Sequence, residues 1–319
     1  MWSERYRRLG ADPPFGDPAG HHGVPMEGYY WRLVDPASGR VVVALCGVVR
    51  GAAGTPERAL VALSDGSGPV RHRWVEREVR ADPGRLALDA GGVLRADRSR
   101  LSVDLGPGAR LQVDLIRGRA WPRPALGALG LAQMLPGLQQ YWHAHTLGGA
   151  ADGRLESEDG PVVLAGAVVY GEKNWGRGFP PAWWWGQAGV WDGDDDACVA
   201  FAGGRLGAVP GLCATTVVVR LGDEVIRLVA PAAVVRARAG GGEWHVRASG
   251  PRARVDIEAR AGERPPLALP FPPREGEPPG TVAQFQHGHM TVVVRRGRRV
   301  LWRGESRHAA LERGERTGG

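Results

Sequence analysis

Residues 170–191 read YGEKNWGRGFPPAWWWGQAGVW and contain two predicted strands separated by a turn. The first strand runs to about residue 175, and the run WWWGQAGVW begins the second. Glycine and proline interrupt strand pairing and favour turns. The intervening turn contains two of each: Gly176, Gly178, Pro180 and Pro181. We therefore predict a boundary between two β domains close to residue 180.

The composition of this stretch also differs from that of the rest of the chain. Lys173 is the only lysine and Asn174 the only asparagine, although the chain has 41 basic residues. A lysine offers a compact ammonium and an asparagine a combined donor and acceptor, neither of which arginine can replace. Five of the twelve tryptophans lie here as well. These features predict that the stretch belongs to a functional site.

On both sides of this stretch, short runs repeat the same strand and turn pattern. Runs such as EGYYWRLVD, RVVVALCGVVRG and ATTVVVRLGDEVIRLVAP are rich in β-branched and aromatic residues, and many others alternate apolar and charged residues. We predict an all-β protein with two antiparallel β-barrel or sheet domains, at 1–180 and 181–319. We expect an irregular arm over 1–27, a short helix or crossover within 121–140, and a proline-rich loop over 265–279.

The charge distribution and the lack of long apolar runs bear on whether the protein binds nucleic acid or spans a membrane. The 319-residue chain carries a net charge of +7, but its arginines are interspersed with acidic residues rather than gathered in a stripe. This pattern disfavours nucleic acid as a partner and leaves weak attraction to an anionic membrane surface. The sequence lacks a signal-like apolar region and any run of about 18 apolar residues. We therefore expect a cytoplasmic protein, with peripheral association with the inner membrane as an open alternative.

The sequence does not predict a metal or a cofactor. The three cysteines, Cys46, Cys198 and Cys213, lack metal-site spacing and are predicted to be small buried side chains. His143 and His145 share a predicted strand face, as do His287 and His289, but nothing in the sequence brings the two pairs together. We favour polar pocket or strand-edge roles for these histidines. Phosphate-binding and dinucleotide-binding glycine motifs are absent from the sequence.

The run EKNWGRGFPPAWWWGQA at 172–188 resembles the signature of the tocopherol cyclase family. Weaker similarities occur in MEGYYWRL at 26–33, LQQYWHAHTLGG at 138–149 and SRHAALERG at 306–314. The family is similar in fold to lipocalin-like carotenoid hydratases. The resemblance therefore implies two lipocalin-like domains, with the site at or near their seam. It also implies cofactor-independent conversion of a prenylated hydroquinone to a chromanol.

Such a reaction protonates an alkene, stabilises a tertiary cation and captures it with a phenol oxygen. Glu172 is our candidate acid, because a carboxyl group in an apolar site can have its pKa raised toward neutrality. Strand alternation predicts Lys173 on the opposite face and Asn174 on the same face. There Asn174 is a second catalytic candidate, which would form a hydrogen bond with either the acid or the hydroquinone hydroxyl. His145 is a further catalytic candidate, and Glu27 and Asp192 could replace Glu172 as the acid.

The remaining predicted residues would line the hydrophobic prenyl-binding site. Trp rings stabilise a nearby cation through their faces, and alternation predicts that Trp184 points away from its two neighbours. The alternative interpretation is that the tryptophans form core and that Glu172 and Lys173 tie the domains together. The predicted substrate-binding residues are Lys173, Trp175, Phe179, Trp183, Trp184, Trp185, Gln187, Tyr141, Tyr30 and Glu27.

Two other function classes stay open at this point. A non-catalytic carrier would bind an isoprenoid quinone or a similar lipid without needing a buried acid, and a structural β protein would have no deep cavity. Glu172→Gln separates the first of these from an enzyme, since it should abolish turnover and preserve binding.

Overall fold

The computed structural model describes residues 2–12, 23–51, 57–66, 68–76, 79–82, 84–116, 118–122, 126–193, 196–206, 212–272 and 280–316. Almost all regular structure in these ranges is antiparallel β, which confirms the predicted fold class. The helical elements are α1 (Trp2–Arg8) and a 3₁₀ helix (Gly130–Met134). The strands are β1 (Met26–Val34), β2 (Val41–Val49), β3 (Arg58–Ser64), β4 (Arg71–Glu76), β5 (Val79–Ala81), β6 (Ala87–Ala90), β7 (Leu94–Asp97), β8 (Arg100–Asp104), β9 (Ala109–Ile116), β10 (Gln140–Ser157), β11 (Gly160–Gly176), β12 (Ala182–Ala188), β13 (Ala197–Arg205), β14 (Cys213–Leu221), β15 (Glu224–Leu228), β16 (Val234–Gly240), β17 (Glu243–Ser249), β18 (Arg254–Arg260), β19 (Leu267–Phe271), β20 (Gly280–Arg296) and β21 (Arg299–Glu315).

Two segments differ from the sequence prediction. The arm expected over 1–27 begins with α1 and ends in β1, while its residues 13–22 lie outside the described ranges. The proline-rich segment contains β19, so the prediction of a continuous loop over 265–279 was wrong. Proline is tolerated in a strand that lacks a neighbour on one side, and among the described strands β19 pairs with β20 alone. The 3₁₀ helix lies in the segment where a short helix was expected.

The chain forms two compact units. Unit 1 comprises Met1–Gly127, Gln133–Gly178 and Ala268–Thr281. Its eleven strands follow the order β4-β3-β2-β1-β11-β10-β9-β8-β7-β6-β5 in one sheet. One face of this sheet packs a continuous apolar cluster that includes Trp31, Leu111 and Val169. Successive side chains of a strand point to opposite faces of the sheet. On β1, β2 and β11, the side chains that point away from this cluster are also largely buried.

Unit 2 comprises Ala128–Ala132, Phe179–Leu267 and Val282–Gly319. Its main sheet has the order β15-β14-β13-β12-β21-β20-β18-β17-β16. Its core contains Phe201, Trp244, Met290 and Leu311. Trp183 and Trp185 of β12 are also buried but lie outside this core cluster. The strand β12 therefore carries buried side chains on both faces.

The cysteine prediction holds for Cys46 and Cys198, which are buried, but not for Cys213, which is exposed. Cys213 lies at the first position of β14, where the strand is still open to solvent. Over the described part of the chain, none of the helical segments has the length and apolar character needed to cross a bilayer.

Candidate functional site

Three neighbouring strands of unit 1 carry most of the predicted site. The strand β11 lies between β1 and β10, and both pairings are antiparallel. The register places Tyr30 opposite Glu172 and Tyr29 opposite Lys173 on β11. Since consecutive side chains of a strand project to opposite faces, Glu172 and Lys173 belong to different environments. Their contacts agree with this prediction.

The carboxyl group of Glu172 is buried and held by two hydrogen bonds. The indole Nε1 of Trp142 donates to Oε2 over 2.7 Å, and the hydroxyl of Tyr170 donates to the same oxygen over 2.5 Å. Trp142 comes from β10, and Tyr170 lies two positions before Glu172 on the same face of β11. Two donors at one oxygen fix the orientation of the carboxyl plane.

Asn174 lies on the Glu172 face of β11. It pairs with Gly28 of β1, and its side chain lies directly over that glycine, where a Cβ atom would come within 2.5 Å of Oδ1. The Oδ1 atom is buried, and no hydrogen-bond donor reaches it from the residues that the structure describes. A buried amide oxygen without a donor is costly, so this atom is ready to accept a hydrogen bond from a ligand.

On the opposite face, Lys173 is completely buried and ion-paired. Its Nζ atom lies 3.2 Å from Oε2 of Glu27, which is also completely buried. Arg50 approaches Oε1 of Glu27 at 3.2 Å, and the hydroxyl of Tyr29 donates to Oε2 at 3.1 Å. The Lys173 ammonium also lies 5.2 Å from the ring centre of Tyr29 and 5.3 Å from that of Trp175. The group is therefore neutralised locally rather than left as an isolated charge.

Burial is the largest cause of the pKa shifts of Lys173 and Tyr29 on this face. It lowers the pKa of Lys173 to about 8, with Glu27 opposing the shift and Arg50 adding to it. Burial and the neighbouring Glu27 raise the pKa of the Tyr29 hydroxyl well above its usual value. Lys173 is thus an ammonium whose proton is held less tightly than that of an ordinary lysine.

The structure places His145 on the Lys173 face rather than beside the Glu172 carboxyl. Its ring packs against Gly171, where an added Cβ would meet the ring at 2.4 Å, and against Trp31 at a ring distance of 6.1 Å. Burial lowers the pKa of His145 to about 3, with Arg98 and Lys173 adding to the shift. The imidazole is therefore neutral near pH 7. Burial likewise lowers the pKa of His143.

Tyr141 and Trp175 also lie on the Lys173 face. Their rings stack at 5.4 Å, and the Trp175 Nε1 donates to the carbonyl of Gly10 over 2.7 Å. The Tyr141 hydroxyl lies 3.1 Å from the carbonyl oxygen of Leu9. The two rings therefore fasten the segment that follows α1 onto β10 and β11, a structural task that is separate from their predicted contact with substrate.

The other predicted residues belong to unit 2. Trp184 donates to Thr215 Oγ1 over 3.0 Å and packs against the core of unit 2, whereas Trp183 and Trp185 are buried outside that core cluster. The predicted alternation of the three tryptophans is therefore present. Phe179 packs on Trp183 at a ring distance of 4.9 Å, and the buried Gln187 approaches Cys198 Sγ at 3.8 Å.

Sequence reasoning missed a buried acid, Glu312 of β21. Its Oε1 accepts a 2.5 Å hydrogen bond from Trp183 Nε1, and its Oε2 accepts a 2.8 Å hydrogen bond from Gln284 Nε2. Burial raises the pKa of Glu312, and these two donors partly offset the rise. Glu312 lies within the 306–314 motif, so the motif itself was the available signal.

Three partners of the unit 1 residues were missed as well. Tyr170 could have been found from its period-two spacing to Glu172, whereas Trp142 requires the register of β10 on β11. Arg50 follows the end of β2 and approaches Glu27 only because β1 and β2 pair along their whole length. No local sequence pattern carries that information.

In the described ranges of the chain, no group of three histidine, cysteine, aspartate or glutamate side chains is arranged to hold a metal ion. His143 and His145 flank Ala144 at a β-bulge, where the register of β10 on β11 shifts between Ala144 and Thr146.

The sequence profile of the family described as tocopherol cyclase-like matches residues 118–315. A probable chloroplastic tocopherol cyclase of Oryza sativa subsp. japonica is 32% identical over 77 residues, which are 24% of this chain and 16% of the rice protein. The chloroplastic tocopherol cyclase of Zea mays is 31% identical over 81 residues, 25% of this chain and 17% of the maize protein. The matched segment is thus a small part of either plant protein.

Solved structures support the fold. Kievitone hydratase from Nectria haematococca superposes with a TM-score of 0.53 at 9% identity, covering 93% of this chain and 91% of that one. CghA with Sch210972 gives a TM-score of 0.57 at 11% identity, covering 92% and 89%. These likenesses show a shared lipocalin-like fold over nearly the whole chain. Because the family profile covers well over half of its length, the chain belongs to the tocopherol cyclase-like family.

Proposed function

We propose that the protein is a cofactor-independent enzyme that cyclises a prenylated hydroquinone to a chromanol, with Glu172 as the general acid. The observation that carries the proposal is the placement of two groups on one face of β11. There the oriented carboxyl of Glu172 lies two positions from Asn174, whose buried Oδ1 lacks a donor among the described residues.

The first step needs a proton donor that is fixed in space. Trp142 and Tyr170 both bind Oε2 of Glu172, so a proton on Oε1 would be held in one orientation. The acid gives this proton to one carbon of the trisubstituted alkene nearest the hydroquinone ring, and the positive charge appears on the other, tertiary carbon. The aromatic faces of Tyr30, Tyr170 and Trp142 are candidates for stabilising that tertiary cation.

The second step closes the ring. The hydroquinone oxygen forms a C–O bond to the cation and loses its proton, which returns to the Glu172 carboxylate. One proton enters and one leaves, so the reaction is an isomerisation that needs no oxidant or reductant. Asn174 Oδ1 would accept a hydrogen bond from the hydroquinone hydroxyl and hold its oxygen toward the cation.

Membership of the tocopherol cyclase-like family supports a catalytic role. The two plant relatives are named as tocopherol cyclases, which supports cyclisation as the reaction class. The alignments cover at most 17% of those proteins. The ring substituents and the prenyl chain length of the substrate are therefore left to a separate experiment.

The test is turnover of a panel of prenylated hydroquinones that differ in chain length, with mass spectrometry and chromatography of the isomeric product. We expect Glu172→Gln to lower kcat at least about a hundredfold, the scale of lost general acid catalysis, and to change substrate affinity only a few-fold. In D₂O, one deuterium should appear at the alkene carbon that receives the proton.

Glu158→Gln is the matched control, because Glu158 is an exposed carboxylate of the same unit. It should retain wild-type turnover. If Glu172→Gln turns over normally, the acid is another group. If the wild-type protein binds the whole panel and converts none of it, the carrier alternative replaces the enzyme.

A further inference from the structure

Unit 2 contains a row of buried polar side chains that the proposed reaction does not use. The register aligns Trp185 of β12, Glu312 of β21 and Gln284 of β20 across three adjacent strands. Gln286 lies on the same face and donates to Oε1 of Gln284. All four side chains are buried. The row therefore places a carboxyl group and two carboxamides beside an indole ring.

The position of Glu312 is tightly fixed. Trp183 reaches Oε1 because its indole lies flat on Gly314, where a Cβ atom would come within 1.9 Å of the ring. Trp244 donates to the backbone carbonyl of Glu312 over 3.1 Å. Both ends of the residue are thus held by indole N–H groups, and the carboxyl group is not a mobile surface acid.

The surroundings of Glu312 differ from those of the buried acid Glu27 in unit 1. Glu27 lies within 3.2 Å of Lys173 and Arg50, whereas no cationic side chain of the described residues lies within ion-pair distance of Glu312. An unpaired buried carboxylate is expensive, so the neutral acid is favoured. Both side-chain partners of the carboxyl are donors. The proton of the neutral acid therefore needs an acceptor.

We propose that Glu312 is a second ligand-binding acid, which donates a hydrogen bond to an oxygen carried by an aromatic or quinone ring. The indoles of Trp183 and Trp185 would pack against the ring, as aromatic side chains do with planar ligands. The choice of an aromatic or quinone ring as the ligand rests on the proposed function, whereas the role of Glu312 as a hydrogen-bond donor does not. The step is a hydrogen bond, and no bond of the ligand is made or broken.

Duroquinone tests the proposal because it has two carbonyl acceptors and no prenyl chain, so binding does not require turnover. Infrared difference spectra should show that adding duroquinone shifts the carbonyl stretch of one neutral carboxyl group. The shift should be present in the wild-type protein and absent in Glu312→Gln. Calorimetry should show at least about a tenfold loss of affinity in that variant, in the range of one lost hydrogen bond to a buried partner.

Glu243→Gln, which changes an exposed carboxylate of unit 2, is the matched control and should keep both the band and the affinity. Glu172→Gln should also keep the band, which separates this inference from the proposed reaction. A band that survives in Glu312→Gln, or a wild-type protein without one, overturns the inference. If Glu312→Gln does not fold, Glu312→Asp serves instead, and it should move the band without abolishing it.

Discussion

The single lysine of the chain is completely buried and belongs to an ionic cluster. Lys173 and Arg50 share the carboxylate of Glu27, and two aromatic rings cover the ammonium. Buried ion pairs add little to stability compared with apolar packing, but removing one partner leaves an uncompensated charge. The cluster therefore specifies one arrangement of β1, β2 and β11 more than it stabilises the fold.

We predict that Glu27→Gln lowers the free energy of unfolding by about 3 to 5 kcal/mol, because the buried Lys173 ammonium loses its carboxylate and Arg50 is left with Glu57. Lys173→Met should cost less, since Arg50 still pairs with Glu27. The double variant should be more stable than the sum of the single effects predicts, because it removes one of the stranded charges. Denaturant unfolding of the four proteins gives the coupling energy, and simple additivity would contradict this account of the cluster.

The same lysine predicts a pH dependence with a definite sign. Its folded pKa of about 8 lies below the ordinary value of 10.5, so the unfolded chain holds more protons between these values. Stability contributed by Lys173 should therefore rise with pH across this window, at up to about 1.4 kcal/mol per pH unit. The measurement is the unfolding free energy of the wild type minus that of Lys173→Met from pH 7 to 10. A flat or falling difference would contradict the prediction.

At the scale of elements, the packing of β12 against β21 depends on Gly314, because the Trp183 ring occupies the space that a side chain at this position would need. An alanine at Gly314 would overlap the Trp183 ring and displace its indole from Glu312. We expect Gly314→Ala to lower the free energy of unfolding by about 1 to 3 kcal/mol, the usual cost of overpacking. It should also red-shift the tryptophan emission. Chemical denaturation followed by fluorescence checks both effects.

The control for this change is Gly240→Ala, at the end of β16 in the same unit. Nothing lies within 4 Å of a Cβ atom added there. The control should alter stability by less than about 0.5 kcal/mol. Equal effects of the two alanines would mean that contact with Trp183 is not what Gly314 preserves.

The elements also show where sequence reasoning ends. Alternation on β11 predicted opposite faces for Glu172 and Lys173, because the two-residue period is local. It could not identify Trp142 or Glu27 as their partners, since a cross-strand contact depends on the register of strands that are distant in sequence. The surroundings of His145 depend on a local irregularity without a sequence pattern, the bulge in β10 between Ala144 and Thr146.

For the whole molecule, the fold class followed from the many short alternating runs, whereas the strand orders did not. The run of β1 was recognisable, but its pairing with β11 joins residues more than a hundred positions apart. The domain boundary near residue 180 was predicted from glycines and prolines alone. The compact units divide between Gly178 and Phe179, but unit 1 also takes Ala268–Thr281. No local sequence pattern indicates that this late segment belongs to unit 1.

An exposed apolar patch in unit 1 supports the proposed peripheral membrane association. Leu9, Met134 and Leu135 are 51%, 43% and 55% exposed. The backbone of Gly137 donates to the carbonyl of Leu9 over 2.8 Å, so the two segments are joined. Arg5 and Arg8 of α1 are exposed beside Leu9 in the sequence. Apolar side chains next to arginines suit an anionic lipid surface.

We predict binding to vesicles that contain phosphatidylglycerol and weaker binding to pure phosphatidylcholine, with a loss at high salt. Leu135→Ser should lower the partition coefficient about tenfold, since burying one leucine contributes roughly 1.5 to 3 kcal/mol. Flotation assays measure this effect. Val163→Ser changes an even more exposed apolar residue, on β11, and should leave binding unchanged. Equal binding by wild type and Leu135→Ser would exclude the patch as the contact surface.

Because Lys173 is completely buried, its chemical reactivity can be used to measure local opening of the sheet. Amine-reactive esters can reach the one lysine side chain only when β1 and β11 separate. The rate of lysine acylation therefore reports how often this part of the sheet opens under native conditions. In most proteins surface lysines hide such a signal, whereas here a single added mass on Lys173 would count openings directly.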